Sequence, residues 1–357
     1  MNALNRPLGV GIVGCGYWGV NYIRVFNELS GARTVAACDL RVERLQEIQQ
    51  RFPNVLVTAE LDELLSLDSV DAVAVCTEAT NHYSAVMACL KAGRHVLVEK
   101  PLTTRLEDAE ELTALADENG LILMVGHTFI YNPAVRKMKE YVAATPDQVY
   151  YLHARRTNLG PIRRDVNALW DLATHDIAIF NYLLESTPEW VSAVGAKVLH
   201  NCREDIGFIS IGYPRNILGN IHVSWADPNK ARELAVILSD KRIVFNDLNG
   251  LEQVRVFEKG VRAVSAEPVG FGEYRLQIRD GDIISPKIDV SEPLKNQCAH
   301  FRDCILNGER PLTSGREGMD VLRVLLAMDQ SVANHGAKVE VIKNGNYAQD
   351  TAVGAVR

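Results

Sequence analysis

The sequence predicts an α/β protein of two domains: an N-terminal doubly wound parallel sheet, then an α+β domain with a large open, mainly antiparallel sheet. Three observations point there. Short apolar runs alternate with helical spacing up to about residue 127; a glycine-rich turn closes the first run; and beyond residue 127 strand-like segments follow one another with one helix between them. A chain of 357 residues is also long for a single core. The change of pattern sets domain boundaries at 1–127 and 128–357. No Pro/Gly/Ser linker separates the halves, so close packing around a cleft is expected.

In the first domain LGVGIV, RTVAAC, VLVT, DAVAVCT, HVLVE and LILMV are short and nearly continuous in apolar residues. Such strands are buried on both faces, as in a parallel sheet covered by helices. Between them RVERLQEIQQRF, NHYSAVMACLKAG and RLEDAEELTALADENG have helical spacing. GHTFIYNPAVRKMKEYV reads as a connecting helix. Then QVYYLHARRT, EWVSAVGAKV, DIGFISIGY, NILGNIHVSW, ELAVILS and RIVFND read as strands, with a helix over 171–184 interposed. Ile217, Ile221, Val223 and Trp225 face one way and Asn220, His222 and Ser224 the other, the alternation of a sheet with one covered face. Trp225 is expected to pack in the core or at an interface, with stacking on a ligand as the alternative. Helical stretches at about 294–307 and 316–334 close the chain.

With 47% hydrophobic and 23% charged residues, the composition is that of a soluble globular protein. A formal net charge of −7 argues against a nucleic-acid partner. No apolar run has the length to span a bilayer, and the N-terminus runs into a strand instead of a signal peptide, so a cytoplasmic location without membrane contact is expected. The seven cysteines lack paired metal spacing and read as reduced packing residues. The open sheet favours a homodimer or homotetramer.

The first strand ends in GCGYWG, where Gly14, Gly16 and Gly19 match G-x-G-x-x-G at the opening of a helix. In a Rossmann domain the first glycine permits the tight turn, the second lets the backbone approach a pyrophosphate, and the third lets the helix pack on the strand. Helix N-terminal amides then face the anion. Asp39 stands at the end of the second strand, where a carboxylate accepts bonds from the ribose hydroxyls and repels a 2′-phosphate. NAD is therefore favoured over NADP. Arg41 qualifies that preference, as a nearby guanidinium can hold the phosphate; the bland reading of Asp39 is a turn residue.

VEKP, at the carboxyl edge of the fifth strand, places Lys100 beside the cofactor, with Pro101 restricting the backbone. In LWDLATHDIAIF, Asp171 and His175 lie one helical turn apart and are able to share a proton or a ligand. The competing reading has Asp171 as a cap and His175 as a core residue. A divalent metal on that pair lacks a third ligand, so no metal is expected.

GCGYWG, CTEATNH at 76–82, EKP at 99–101 and D-x-x-x-H at 171–175, in this order, resemble the glucose-fructose oxidoreductase/inositol dehydrogenase (Gfo/Idh/MocA) family over nearly the whole chain. GHTFIYNPAVRKMK, RTNLGPIRRDVNALWDLATHDI and EPLKNQCAHFRDCI are similar to its branch acting on nucleotide sugars, UDP-N-acetylglucosamine or glucosaminuronate 3-dehydrogenases. The resemblance implies His175 as general base, Lys100 as its companion and Asp171 tuning or orienting the pair. It also implies cofactor contacts from Gly14, Gly16, Tyr17, Trp18, Gly19, Asp39, Thr77, His82, Glu99 and Lys100. A carboxylate one turn away is expected to favour the protonated imidazole, and Lys100 to stabilise alkoxide character on the substrate oxygen.

The implied reaction is reversible NAD-dependent oxidation of a secondary sugar hydroxyl, at carbon 3 of a UDP-linked sugar. For the diphosphate, HARRTNLGPIRRD supplies Arg155, Arg156, Arg163 and Arg164; on a strand Arg155 and Arg156 point to opposite faces. Arg156, Asn158 and Arg163 are the expected substrate-side groups. His127 and Tyr131 either line the nicotinamide pocket or pack, and His82 either approaches the cofactor or begins a helix. Asp176 is expected as a helix-surface or interdomain charge; His300 and Cys298/Cys304 are expected to be structural. Alternatives are an inositol or free-sugar dehydrogenase, an NADPH-dependent keto-sugar reductase, and a non-catalytic dinucleotide sensor.

Overall fold

The computed structural model describes residues 6–145, 149–160, 162–163, 165–199, 202–263 and 276–342. Six apolar segments form β1 (Leu8–Val13), β2 (Ala32–Cys38), β3 (Leu56–Thr58), β4 (Ala72–Val75), β5 (His95–Glu99) and β6 (Leu123–Gly126). All pair in parallel, in the order β3-β2-β1-β4-β5-β6. Between them run α1 (Tyr17–Glu28), α2 (Val42–Arg51), α3 (Leu61–Leu65), α4 (His82–Lys91) and α5 (Leu106–Glu118). Every residue of β1 and β4 is buried, which explains their unbroken apolar sequence. The order reverses between β1 and β4, where connections leave in opposite directions and a crevice opens at the strands' carboxyl ends.

A 3₁₀ turn (Thr128–Tyr131) leads into α6 (Pro133–Ala143), started by the Asn132 side chain accepting the Ala134 N–H and by proline at the first position. Then come β7 (Val149–Leu159), a π turn (Leu169–Ala173) that runs into α7 (Thr174–Leu184), and β8 (Trp190–Ala196), β9 (Ile206–Tyr213), β10 (Ile217–Ser224), β11 (Ala226–Leu238), β12 (Arg242–Asn246) and β13 (Val254–Phe257). β14 (Gly260–Ala263) and β15 (Leu276–Arg279) form a separate ribbon, and β16 (Ile283–Ile284), α8 (Pro293–Asn307), α9 (Gly315–Ala333) and β17 (Val339–Glu340) follow.

The second sheet has nine strands in the order β16-β13-β12-β11-β7-β10-β9-β8-β17. Its pairs are antiparallel except β7 with β10, which the crossover through α7, β8 and β9 makes parallel. Register puts Val194, Phe208, His222 and Arg155 in one cross-strand row. Trp225 is buried in the core.

The C-terminal helices return to the first domain, a feature the strand pattern did not announce. α8 packs on α1, and α9 lies between α5 and β6 on one side and α7 and β8 on the other. The Val125 N–H donates to the Thr313 carbonyl at 2.7 Å, just ahead of the Ser314/Glu317 capping box that starts α9. No helix among the described residues is long and apolar enough to cross a membrane.

Candidate active site

The three glycines of the first turn stand in three different surroundings. Gly14 has φ +90°, where a Cβ would also meet the Cys76 backbone at 2.8 Å. A Cβ on Gly19 would stand 1.9 Å from the Gly14 carbonyl oxygen, so α1 is packed directly on the turn. At Gly16, the N-cap of α1, a Cβ would meet nothing within 4 Å. The outer side of the turn is thus an open cradle in front of the α1 amides, which fits a pyrophosphate. Tyr17 and Trp18 follow, both exposed and edge to face at 5.4 Å.

Asp39, just beyond β2, accepts the Cys15 N–H at 2.7 Å and is gripped by Arg41, whose Nη2 and Nε donate at 2.8 and 2.9 Å. Burial alone would raise its carboxyl, but the bonds from Arg41 and Cys15 hold it below the usual carboxylate value. Arg41, the candidate for a 2′-phosphate, is committed to this carboxylate.

At the end of β5 the two side chains of EKP part. Lys100 is buried, and its Nζ donates to the carboxylate and to the main-chain oxygen of Asp171, both at 3.0 Å. This bond ties the first domain to the π turn ahead of α7. Glu99 faces inward: it accepts from the Tyr22 hydroxyl at 2.9 Å, and that hydroxyl accepts from Gln297 of α8 at 2.7 Å. Burial raises its carboxyl against the opposing pull of Lys100 and Tyr22. His82 is also buried, its ring nitrogens 2.7 Å from the Pro101 carbonyl and 3.1 Å from that of Thr77. It braces the two loops at the carboxyl edge. The Thr77 hydroxyl is buried without a hydrogen-bond partner among the described residues.

Asp171 does not pair with His175. Its carboxylate receives Lys100 and Arg163, the latter at 3.2 Å. Burial would raise this group, yet the two cations keep it below the usual carboxylate value. His175 therefore experiences the reverse of the expected influence. Burial, and then the positive charges of Lys100 and Arg156, push its imidazole well below the ordinary value of 6.5. At neutral pH it is an uncharged base. Its Nδ1 is buried with no hydrogen-bond partner among the described residues, and its ring meets Phe129 at 5.0 Å. His127 stands in the same electrostatic neighbourhood; burial and Lys100 lower it to about 3. Both its ring nitrogens are buried without partners, and it lines a cavity of about 860 Å³ with Asn181, Tyr182 and Thr313.

Several substrate-side expectations meet a different placement. Arg156 points inward, opposite to Arg155, and is 5% exposed, with Nη2 and Nε donating to Asp176 at 2.8 and 3.0 Å. Asp176, expected as a helix-surface or interdomain charge, is 1% exposed and neutralises this guanidinium. Arg156 is consequently not presented to a phosphate. Tyr131 is fully buried, with its hydroxyl 3.1 Å from that of Thr313, and serves packing. Asn158 donates to the Gly160 carbonyl at 2.8 Å and is partly buried.

Arg163 stands beside the groups that join the two domains. It bridges Asp165 and Asp171, while Asp165 accepts the Ala79 N–H of the first domain at 3.4 Å. Arg164 lies outside the described residues. Cys298 and Cys304 are free thiols, buried like the core around them, and His300 accepts the Leu312 N–H at 3.1 Å. Among the described residues no three His, Cys, Asp or Glu side chains are grouped to hold a metal. Phe129, Tyr22 and Gln297 stand among these groups with no charge pattern or motif in the sequence to mark them.

Residues 8–127 match the oxidoreductase family with an NAD-binding Rossmann fold, and residues 148–244 match the GFO/IDH/MocA C-terminal domain. D-apiose dehydrogenase of Paraburkholderia graminis is 26% identical over 97% of this chain and 94% of its own length. UDP-N-acetylglucosamine 3-dehydrogenase of Acidithiobacillus ferrooxidans is 25% identical over 84% of this chain and 91% of its own. The solved structure of GenD2 from gentamicin A biosynthesis, in complex with NAD, is similar with a TM-score of 0.79 at 25% identity, covering 95% of this chain and 97% of that one. With both domains matched in order, the chain belongs to the Gfo/Idh/MocA family and is an NAD-binding oxidoreductase.

Proposed function

We propose that the protein oxidises a secondary hydroxyl of a sugar, with carbon 3 of a UDP-linked sugar such as UDP-N-acetylglucosamine or its uronate as the first candidate. The observation that carries this reading is the Lys100–Asp171 bond, which sets an ammonium of the first domain beside the helix that bears an uncharged imidazole. Bound NAD⁺ supplies the hydride acceptor. His175 takes the hydroxyl proton on Nε2, the nitrogen other than its buried Nδ1. Lys100 donates to the same oxygen and stabilises its developing negative charge. Asp171 holds the ammonium in place and neutralises it between turnovers. The products are a ketone, NADH and a proton.

Arg163, only partly buried and shared between Asp165 and Asp171, is the cation we assign to a diphosphate, which would take the place of one of these carboxylates. The 25% identity to a UDP-N-acetylglucosamine 3-dehydrogenase supports that assignment. A second reading, oxidation of a free sugar or inositol, is favoured by the burial of Arg156 on Asp176, which leaves fewer cations for a phosphate. NADH formation measured by absorbance with UDP-N-acetylglucosamine, its uronate, myo-inositol and D-apiose separates the two. Turnover of the UDP sugars is expected, and activity on unlinked sugars alone would discard the nucleotide-sugar reading.

The outward face of the nine-stranded sheet exposes Phe208 (51%), Leu218 (48%), Val194 (49%) and Tyr151 (45%). We assign this face to contact between copies of the chain in a homodimer or homotetramer. Light scattering on the eluted peak tests it: a monomer contradicts the assignment.

A further inference from the structure

A catalytic imidazole usually has its plane set by a hydrogen bond to the nitrogen that does not react. His175 lacks that device, as its Nδ1 is buried without a partner among the described residues and the adjacent carboxylate of Asp171 is held by Lys100 and Arg163. Something else must fix the ring. We propose that Phe129, packed beneath the Arg156 guanidinium, is the positioning residue for His175. The proposal rests on the reading of His175 as the base.

The contacts form a closed circuit. The Phe129 and His175 rings meet edge to face, with centroids 5.0 Å apart and planes at 63°, an arrangement aromatic quadrupoles favour. The Arg156 guanidinium lies over the Phe129 ring at 4.3 Å from its centroid, within cation–π range. Arg156 is fixed in turn by two bonds to Asp176, the neighbour of His175 on α7. The circuit thus starts and ends on adjacent residues of one helix, by way of β7 and the turn after β6. A loop of contacts closed on itself allows little rotation of any member.

The circuit also accounts for a costly feature, a buried ion pair, which a well-packed apolar pair would match in stability. In this position it supplies a planar cation to clamp an aromatic ring. Its charge faces His175 as well, and contributes to keeping that imidazole neutral.

The test compares Phe129→Leu, Phe129→Tyr, His175→Ala and the Leu/Ala double variant. The substrate is whichever of UDP-N-acetylglucosamine, its uronate, myo-inositol and D-apiose the wild-type enzyme oxidises fastest. Phe129→Leu should lower kcat by about 10- to 100-fold, the scale of a misplaced catalytic group, with the Kd for NAD unchanged. Phe129→Tyr, which keeps the ring, should stay within about 3-fold of wild type. In the His175→Ala background Phe129→Leu should cost nothing further, because there is no imidazole left to position. Wild-type turnover in Phe129→Leu, or an equal loss in both backgrounds, overturns the proposal. Wild-type turnover in His175→Ala overturns the reading of the base itself. Should the Leu variant not fold, Phe129→Met, which fills similar volume without a ring, is measured in its place with the same outcomes.

Discussion

Gly16→Ala separates nucleotide binding from folding. An added Cβ meets no protein atom within 4 Å, so the folded chain accommodates it. Two small terms then oppose each other. A more restricted unfolded chain stabilises by about 0.4–1 kcal/mol, while alanine is a poorer N-cap than glycine by roughly 0.5–1 kcal/mol. The apo melting temperature should move by no more than about 3 °C. The methyl nevertheless occupies the space through which a pyrophosphate reaches the α1 amides. Losing that approach is expected to cost about 1.4–2.7 kcal/mol, a 10- to 100-fold rise in the Kd for NAD. Gly19→Ala is the contrasting control: its Cβ would lie 1.9 Å from a carbonyl oxygen, so stability itself should fall by roughly 3 kcal/mol or more. Calorimetric titration with NAD and thermal melts of both apo variants make the measurement. An unchanged Kd in Gly16→Ala would place the dinucleotide elsewhere.

Asp39→Ser should release Arg41 from its 2.8 Å bond and remove the charge that repels a 2′-phosphate, raising the NADP/NAD ratio of kcat/KM by about 100-fold; an unchanged ratio contradicts this. Burial raises the Asp329 carboxyl to about 6 despite the bond it accepts from the Trp170 indole at 2.9 Å. Since its folded value exceeds the ordinary 3.8, its contribution to stability is full below that pH and is lost as pH rises through 6. Asp329→Asn should therefore stabilise by roughly 1–3 kcal/mol near pH 8 and by almost nothing near pH 4, and an equal effect at both would refute the assignment. His127 has the opposite sign: lowered from 6.5 to about 3, it resists protonation when folded, so stability falls as pH drops below 6.5. His127→Leu should flatten that acid slope by about 1.4 kcal/mol per unit, read from urea melts between about pH 6 and pH 4.

Much of this architecture is legible in the sequence because it depends on local spacing. Continuous apolar strands, the glycine turn and the single helix between β7 and β8 each need only a window of residues to recognise. The same holds for Lys100 at a strand end. What was not legible is pairing across long separations. Nothing in ARRT tells which carboxylate takes Arg156, and nothing in the sequence around Asp176 marks it as that partner before α7 folds over the sheet. Helical spacing also misled for Asp171, since the π turn over Leu169–Ala173 and the arrival of Lys100 from another domain decide where its carboxylate is held. Phe129 and Gln297 carry no signal at all, because an aromatic or an amide in an apolar stretch gains meaning only from its neighbours in space.

In the proposed reaction an ammonium from one domain and an imidazole from the other act on one hydroxyl oxygen in one step. A double-mutant cycle on the rate of single-turnover NADH formation, using Lys100→Met, His175→Ala and the two combined at saturating NAD, tests it most directly. Each single change should slow hydride transfer by about 10²–10⁴-fold, and the pair by far less than the product of the two. Losses that multiply in full, or hydride transfer at the wild-type rate in either single variant, would mean that the two groups do not act together.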